Sequence, residues 1–215
     1  MVEFKDKCKG AMVPVFFHAD SAVCENVLRA CYAGGVRIFE FTNRGASAYS
    51  TFLKLRKIVD DEMQDMSLGV GSVVRAADAE KFIDAGADFV VSPCMSMPVL
   101  EVCKQKEIPY VPGCGTVTEI FNAQEAGCAV TKLFPGDVYG PNMVKGLMAP
   151  MPWSMIMVTG GVSPDKDNLE KWFKAGVYCV GMGSKLFPKE VIASKDWSYI
   201  TQKCRECFEI IKNAK

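Results

Sequence analysis

The stretch "TVTEIFNAQEAGCAVTKLFPG" (Thr116–Gly136) contains a complete structural unit. Its first half has apolar residues at helical spacing and closes on Ala126-Gly127, a helix C-terminal signal. Its second half, "AVTKLFPG", reads as a short apolar strand. A lysine, Lys132, stands in the middle of that strand. A buried ammonium group without a partner is costly, so either the amine reaches water past the strand end or the protein uses a desolvated amine.

The same helix-then-strand unit recurs outward in both directions. Strand-like runs are read at 11–17, 36–42, 67–73, 88–93, 108–115, 129–136, 154–161 and within 177–187. Helical runs lie between them at 21–35, 46–65, 75–87, 97–107, 116–128, about 140–148 and 165–176, and a last helix covers Trp197–Asn213. In the helix at 46–65, Phe52, Leu55, Val59 and Met63 share one face. "AG" closures recur at 33–34, 85–86, 126–127 and 175–176. Continuous apolar strands between amphipathic helices imply a parallel sheet covered by helices. Eight such units predict an α/β fold, a (β/α)8 TIM barrel with an extra terminal helix, as a single domain over 1–215. A doubly wound open sheet is the alternative, but no early strand–helix turn carries the GxGxxG of a dinucleotide site.

Composition narrows the function. The chain has 215 residues, 49% of them apolar, which is enough for a substantial core. Its 25 basic and 25 acidic side chains balance, so it lacks the basic footprint of a nucleic-acid binder. The N-terminus "MVEFKDKCKG" has no apolar core of a signal peptide, and Lys145, Pro150 and Pro152 break the most apolar later stretch. The expectation is a soluble cytoplasmic protein with neither a membrane nor a nucleic-acid partner. Most of the ten cysteines lie within apolar periodic segments and read as small core residues. Cys204 and Cys207 form the chain's CxxC, but on the last helix, where a structural role is expected.

In a barrel the active site lies at the C-terminal strand ends. Those ends carry Glu40, Thr42, Asn43 and Arg44; Ser72; Ser92, Pro93 and Cys94; Lys132; Thr159, Gly160 and Gly161; and Gly181, Gly183 and Ser184. Alternation along a strand sends Glu40 to the face opposite Phe39 and Phe41. Lys132 has the same relation to its neighbours, so the two can meet inside the barrel mouth. The glycine turns "TGG" and "GMGS" after the last two strands offer backbone N–H groups where such barrels hold phosphate. Arg44 offers a two-pronged fork for a carboxylate.

Together these groups read a phosphorylated 2-oxo acid. A desolvated lysine amine attacks a ketone and forms a Schiff base, whose iminium is an electron sink for the adjacent C–C bond. Glu40 is the available proton carrier. With His18 as the chain's one histidine, a His-rich zinc site cannot be built; no metal is expected, and His18 reads as a loop or rim residue. Two other readings keep the phosphate turns: a sugar-phosphate epimerase or decarboxylase, and a non-catalytic metabolite-binding barrel.

The motifs "VPVFF", "FEFTNRG", "GVGSV", "VVSP", "VPGCGTVTE", "TKLFPGD", "VTGGVSP" and "GMGSKLF", in this order, resemble the 2-keto-3-deoxy-6-phosphogluconate (KDPG) and 4-hydroxy-2-oxoglutarate (KHG) aldolases. The resemblance covers nearly the whole chain. It implies a cofactor-free class I aldolase, commonly a trimer, that releases pyruvate and D-glyceraldehyde 3-phosphate, or pyruvate and glyoxylate. It implies Lys132 as the Schiff-base lysine and Glu40 as general acid/base. It implies that Arg44 and Ser72, with Pro93 nearby, hold the pyruvate carboxylate, and that Thr159 lies near the reacting carbons. Gly160, Gly161, Gly183 and Ser184 would take the phosphate. Ser72 replaces a frequent threonine and keeps its hydroxyl. Cys94 and Cys114 are expected at the mouth, and Lys185 beside the phosphate turn or in solvent.

Overall fold

The computed structural model describes residues 4–214. Residues 1–3 and 215, which the single-domain expectation includes, lie outside them. The strands are β1 (Met12–Phe16), β2 (Ile38–Thr42), β3 (Ser67–Gly71), β4 (Val90–Val91), β5 (Tyr110–Val111), β6 (Gly113–Cys114), β7 (Val130–Leu133), β8 (Met155–Thr159) and β9 (Cys179–Met182). They pair in parallel in the order β5-β4-β3-β2-β1-β9-β8-β7-β6.

The two ends of that list are one stretch of chain. β5 and β6 flank Pro112, which has no N–H to give to a ladder. Its carbonyl still accepts from Lys132 N at 2.8 Å. The ring therefore has eight strand positions, the fifth in two pieces, which is the barrel the alternation predicted. The open-sheet alternative falls because both ends of the sheet meet.

The helices are α1 (Phe4–Cys8), α2 (Ser21–Ala33), α3 (Ala48–Glu62), α4 (Ala76–Asp84), α5 (Met97–Gln105), α6 (Val117–Glu125), α7 (Gly136–Met148), α8 (Lys166–Ala175), α9 (Lys189–Ser194) and α10 (Trp197–Asn213). Thr116 caps α6 in a reciprocal box with Glu119. The "AG" signals end helices as expected: Gly86, Gly127 and Gly176 take left-handed φ of 91°, 95° and 101°. After α2 that conformation passes to Gly35 (φ 97°).

Three elements depart from the sequence reading. α1 and α9 were not expected, being five and six residues long, too short for a periodic signal. The helix expected at about 140–148 is the second part of α7; Gly140 (φ 68°, ψ 172°) breaks α7 before Pro141, and the turn that precedes it from Gly136 was not expected.

Strand alternation divides the interior into two apolar layers. Val13, Ile38, Phe89, Val91, Val111, Val130, Met157 and Cys179 fill the barrel itself. Phe39, Phe41 and Leu68 face outward and meet Phe52, Leu55 and Phe82 from the helices. The predicted face of α3, Phe52, Leu55 and Val59 with Met63 just beyond its end, is fully buried. α1 closes the N-terminal end of the barrel. Phe4 stacks on Phe89 with ring centroids 4.9 Å apart, and Lys7 Nζ donates to Ser67 Oγ at 2.8 Å. The other end stays free for chemistry.

Candidate active site

Inward-facing positions nearer the C-terminal strand ends turn polar. On β2 the inward series is Ile38, Glu40, Thr42; on β7 it is Val130, then Lys132. β2 and β7 are four positions apart in a ring of eight, so they face each other across the axis. Lys132 Nζ lies 3.5 Å from Glu40 Oε1, with the two side chains 7% and 1% exposed. The sequence expectation that this pair meets in the mouth is met. Lys132 Nζ also lies 5.4 Å from the centre of the Phe134 ring, within cation–π reach.

Glu40 fits because β3 presents a glycine, Gly71, beside its carboxylate. A Cβ on Gly71 would stand 1.9 Å from Glu40 Oε1. A Cβ on Gly181 would likewise stand 2.3 Å from Thr159 Oγ1. Glu40 Oε2, Thr42 Oγ1 and Thr159 Oγ1 are buried and have no hydrogen-bond partner among the described residues. Buried polar groups are normally paired. Three unpaired ones on the inward face mark a place built to receive a polar ligand.

Arg44 and Ser72 come together at the ends of β2 and β3, where Arg44 Nε donates to Ser72 Oγ at 3.1 Å. Ser72 holds a left-handed φ of 61°, which favours glycine and is uncommon for serine. Pro93 follows β4, and its carbonyl occupies the space a side chain on Gly113 would need. Gly160 and Gly161 follow β8 with φ of 95° and 69°. Asn168 pins this turn, donating to Gly161 O at 2.9 Å and accepting from Ser163 N at 3.0 Å. Gly183 and Ser184 follow the neighbouring β9, so the two glycine turns lie side by side.

A cavity of about 600 Å³ opens at the mouth between the ends of β1, β2 and β9 and helix α9. Thr42, Arg44, His18 and Ser184 line it, with Phe17 and Phe187 as apolar wall. His18 is a rim residue, as expected, and its Nδ1 accepts from Asp20 N. Lys185 is exposed and lines a separate groove with Gly161 and Asn168.

One expectation needs correction. Cys94 is exposed at the end of β4, but Cys114 is buried and faces the helix layer. Its neighbour Gly113 takes the inward position, and alternation turns Cys114 away. Two nearby residues escaped the sequence reading of the site. Gly71 had no signal without its partner strand. Asp137, whose carboxylate stands against Gly160, follows a turn whose path the sequence does not show. Thr42, already read among the strand-end polar residues but given no role, stands two residues beyond Glu40 on the same face.

These features define the class: a (β/α)8 barrel with a buried lysine–carboxylate pair at the centre of its C-terminal mouth. Comparison with known proteins gives the family. The family model for KDPG and KHG aldolase matches residues 5–203. The KHG/KDPG aldolase of Escherichia coli K12 is 32% identical over 203 residues, covering 93% of this chain and 92% of that protein. The 2-dehydro-3-deoxy-phosphogluconate aldolase of Pseudoalteromonas atlantica is 30% identical, covering 92% and 90%. Among solved structures, the KDPG aldolase of Legionella pneumophila, with pyruvate captured as a covalent carbinolamine, superposes with a TM-score of 0.83. That pair shares 27% identity over 94% of this chain and 96% of the other. The chain belongs to the KDPG and KHG aldolase family.

Proposed function

We propose that this protein is a class I aldolase that reversibly cleaves 2-keto-3-deoxy-6-phosphogluconate to pyruvate and D-glyceraldehyde 3-phosphate, and also splits 4-hydroxy-2-oxoglutarate to pyruvate and glyoxylate. The observation that carries this is the 3.5 Å approach of Lys132 Nζ to Glu40 inside the barrel mouth. The neutral Lys132 amine adds to C2 of the 2-oxo acid. Glu40 protonates the departing hydroxyl of the carbinolamine and then, as carboxylate, takes the C4 hydroxyl proton while the C3–C4 electron pair moves into the iminium. The aldehyde leaves. The enamine is reprotonated at C3, and water releases pyruvate and the free amine.

Arg44, Ser72 and Pro93 hold the C1 carboxylate in this reading. Thr159 lies near the reacting carbons, and the N–H groups of Gly160, Gly161, Gly183 and Ser184 take the phosphate. The whole chain works as one domain and needs no cofactor.

The assembly is a homotrimer. Supporting this, α6, α7 and the loop after α7 leave Val117, Phe121, Val138, Tyr139 and Trp153 exposed, an apolar surface typical of an interface. Cytoplasmic residence suits the free thiols of all ten cysteines. No helix among the described residues is long and apolar enough to cross a membrane.

Intact mass after incubation with pyruvate and borohydride tests the chemistry. One reduced adduct on the Lys132 peptide is expected. A folded protein with no adduct would reject the Schiff base.

A further inference from the structure

Thr42 is the last residue of β2. It shares the inward face with Glu40, one step nearer the mouth and about 7 Å along the strand. Its side chain is 1% exposed, and Oγ1 has no hydrogen-bond partner among the described residues. It lines the cavity that also holds Arg44. A buried hydroxyl left unpaired destabilises the fold, so this one is spared a valine's place in the core for some other reason.

Two other threonines sharpen the case. Thr131 Oγ1 is also unpaired, but it precedes inward-facing Lys132 and so points away from the mouth. Thr159 faces the mouth from β8, three strand positions round the ring from β2. Thr42 alone of the three stands on the same strand as the proton carrier and two residues before the cationic fork of Arg44.

We infer that Thr42 is a substrate-contacting residue. Its hydroxyl donates a hydrogen bond to an oxygen of the oxo-acid half of the substrate, beside the C2 carbon attacked by Lys132 and the C1 carboxylate held by Arg44. This rests on the aldolase reading above and deepens it. Thr42 serves the pyruvate half, whichever aldehyde is released, whereas Thr159 serves the side where aldehydes differ.

The test varies pyruvate in borohydride trapping and in the synthetic direction with two aldehydes, one phosphorylated and one not. Thr42→Val should raise the pyruvate concentration for half-maximal trapping about five- to tenfold, the worth of one hydrogen bond. It should lower kcat/KM for pyruvate by a similar factor with both aldehydes and leave the KM of each aldehyde unchanged. Thr42→Ser should recover most of the loss. The valine variant should melt at or above the wild-type temperature, because an unpaired hydroxyl has been replaced by a methyl.

Unchanged pyruvate half-saturation in Thr42→Val would overturn the inference, as would a serine variant no better than the valine one. A valine variant that melts lower and loses activity in proportion would make Thr42 a packing residue and overturn it too. Wild-type trapping at Lys132 is the control. Its absence would reject the aldolase reading itself, a different failure from trapping that ignores Thr42.

Discussion

Gly71 shows how one missing carbon shapes the site. It is paired beside β2 at Thr42, and a Cβ there would overlap the end of the Glu40 side chain. The overlapped atoms are the flexible far end of that side chain, so Gly71→Ala can fold by displacing the carboxylate. We expect a fall in kcat of about tenfold or more, since misplacing a proton carrier by an ångström costs at least ~1.4 kcal/mol of barrier, with only a small change in melting temperature. Steady-state kinetics beside a thermal melt checks this; an unchanged kcat would show that Glu40 tolerates the shift. Lys132→Met should abolish turnover while far-UV circular dichroism stays native. Glu40→Gln should still form the imine slowly but turn over poorly, which trapping yield against kcat will separate. At this scale Glu40 and Lys132 were readable, because alternation tells which face a strand residue takes. Gly71 and the left-handed backbone of Ser72 were not: the first depends on a side chain from another strand, the second on the path of a turn.

Among elements, the N-terminal end of the barrel is sealed by a helix the periodicity missed. α1 brings Phe4 onto Phe89, and Gly69 lacks a Cβ that would strike the Phe89 ring. Phe89→Ala would leave a cavity at the barrel centre and should cost about 3–5 kcal/mol, read as a lower urea midpoint. A midpoint within error of wild type would mean that α1 collapses into the space. The split of the fifth strand also belongs here. The run at 108–115 reads as one strand, and only the structure shows that it is interrupted at Pro112, where the ring closes on Lys132.

Considered as a whole molecule, the cysteines and the surface behave differently from what counts of residues suggest. Cys8, Cys24, Cys31, Cys103, Cys114, Cys128, Cys179, Cys204 and Cys207 are buried, and Cys94 is exposed. Burial pushes the Cys103 and Cys114 thiols up to about 12, so near neutral pH they stay protonated as well as shielded. A maleimide at pH 7 should therefore add one label to the native protein, on Cys94, and ten after unfolding. Labelling of several sites in the native state would contradict this packing. For the apolar surface of α6 and α7, the double variant Phe121→Asp with Trp153→Asp should shift the mass in light scattering from trimer toward monomer. A native protein already monomeric would remove the trimer from the proposal.

The order of units, the barrel they build and the inward setting of Glu40 and Lys132 were all legible in the amino-acid order. These depend on steric periods of two and 3.6 residues, which act over a few neighbours and leave their mark in any window of the chain. The closure of the ring through Pro112, the 3.5 Å meeting of two strands opposite each other, the clearance at Gly71 and the unpaired hydroxyl of Thr42 emerge after folding. Each is a distance between segments remote in sequence, fixed by the summed packing of every layer between them, and no local pattern encodes such a sum.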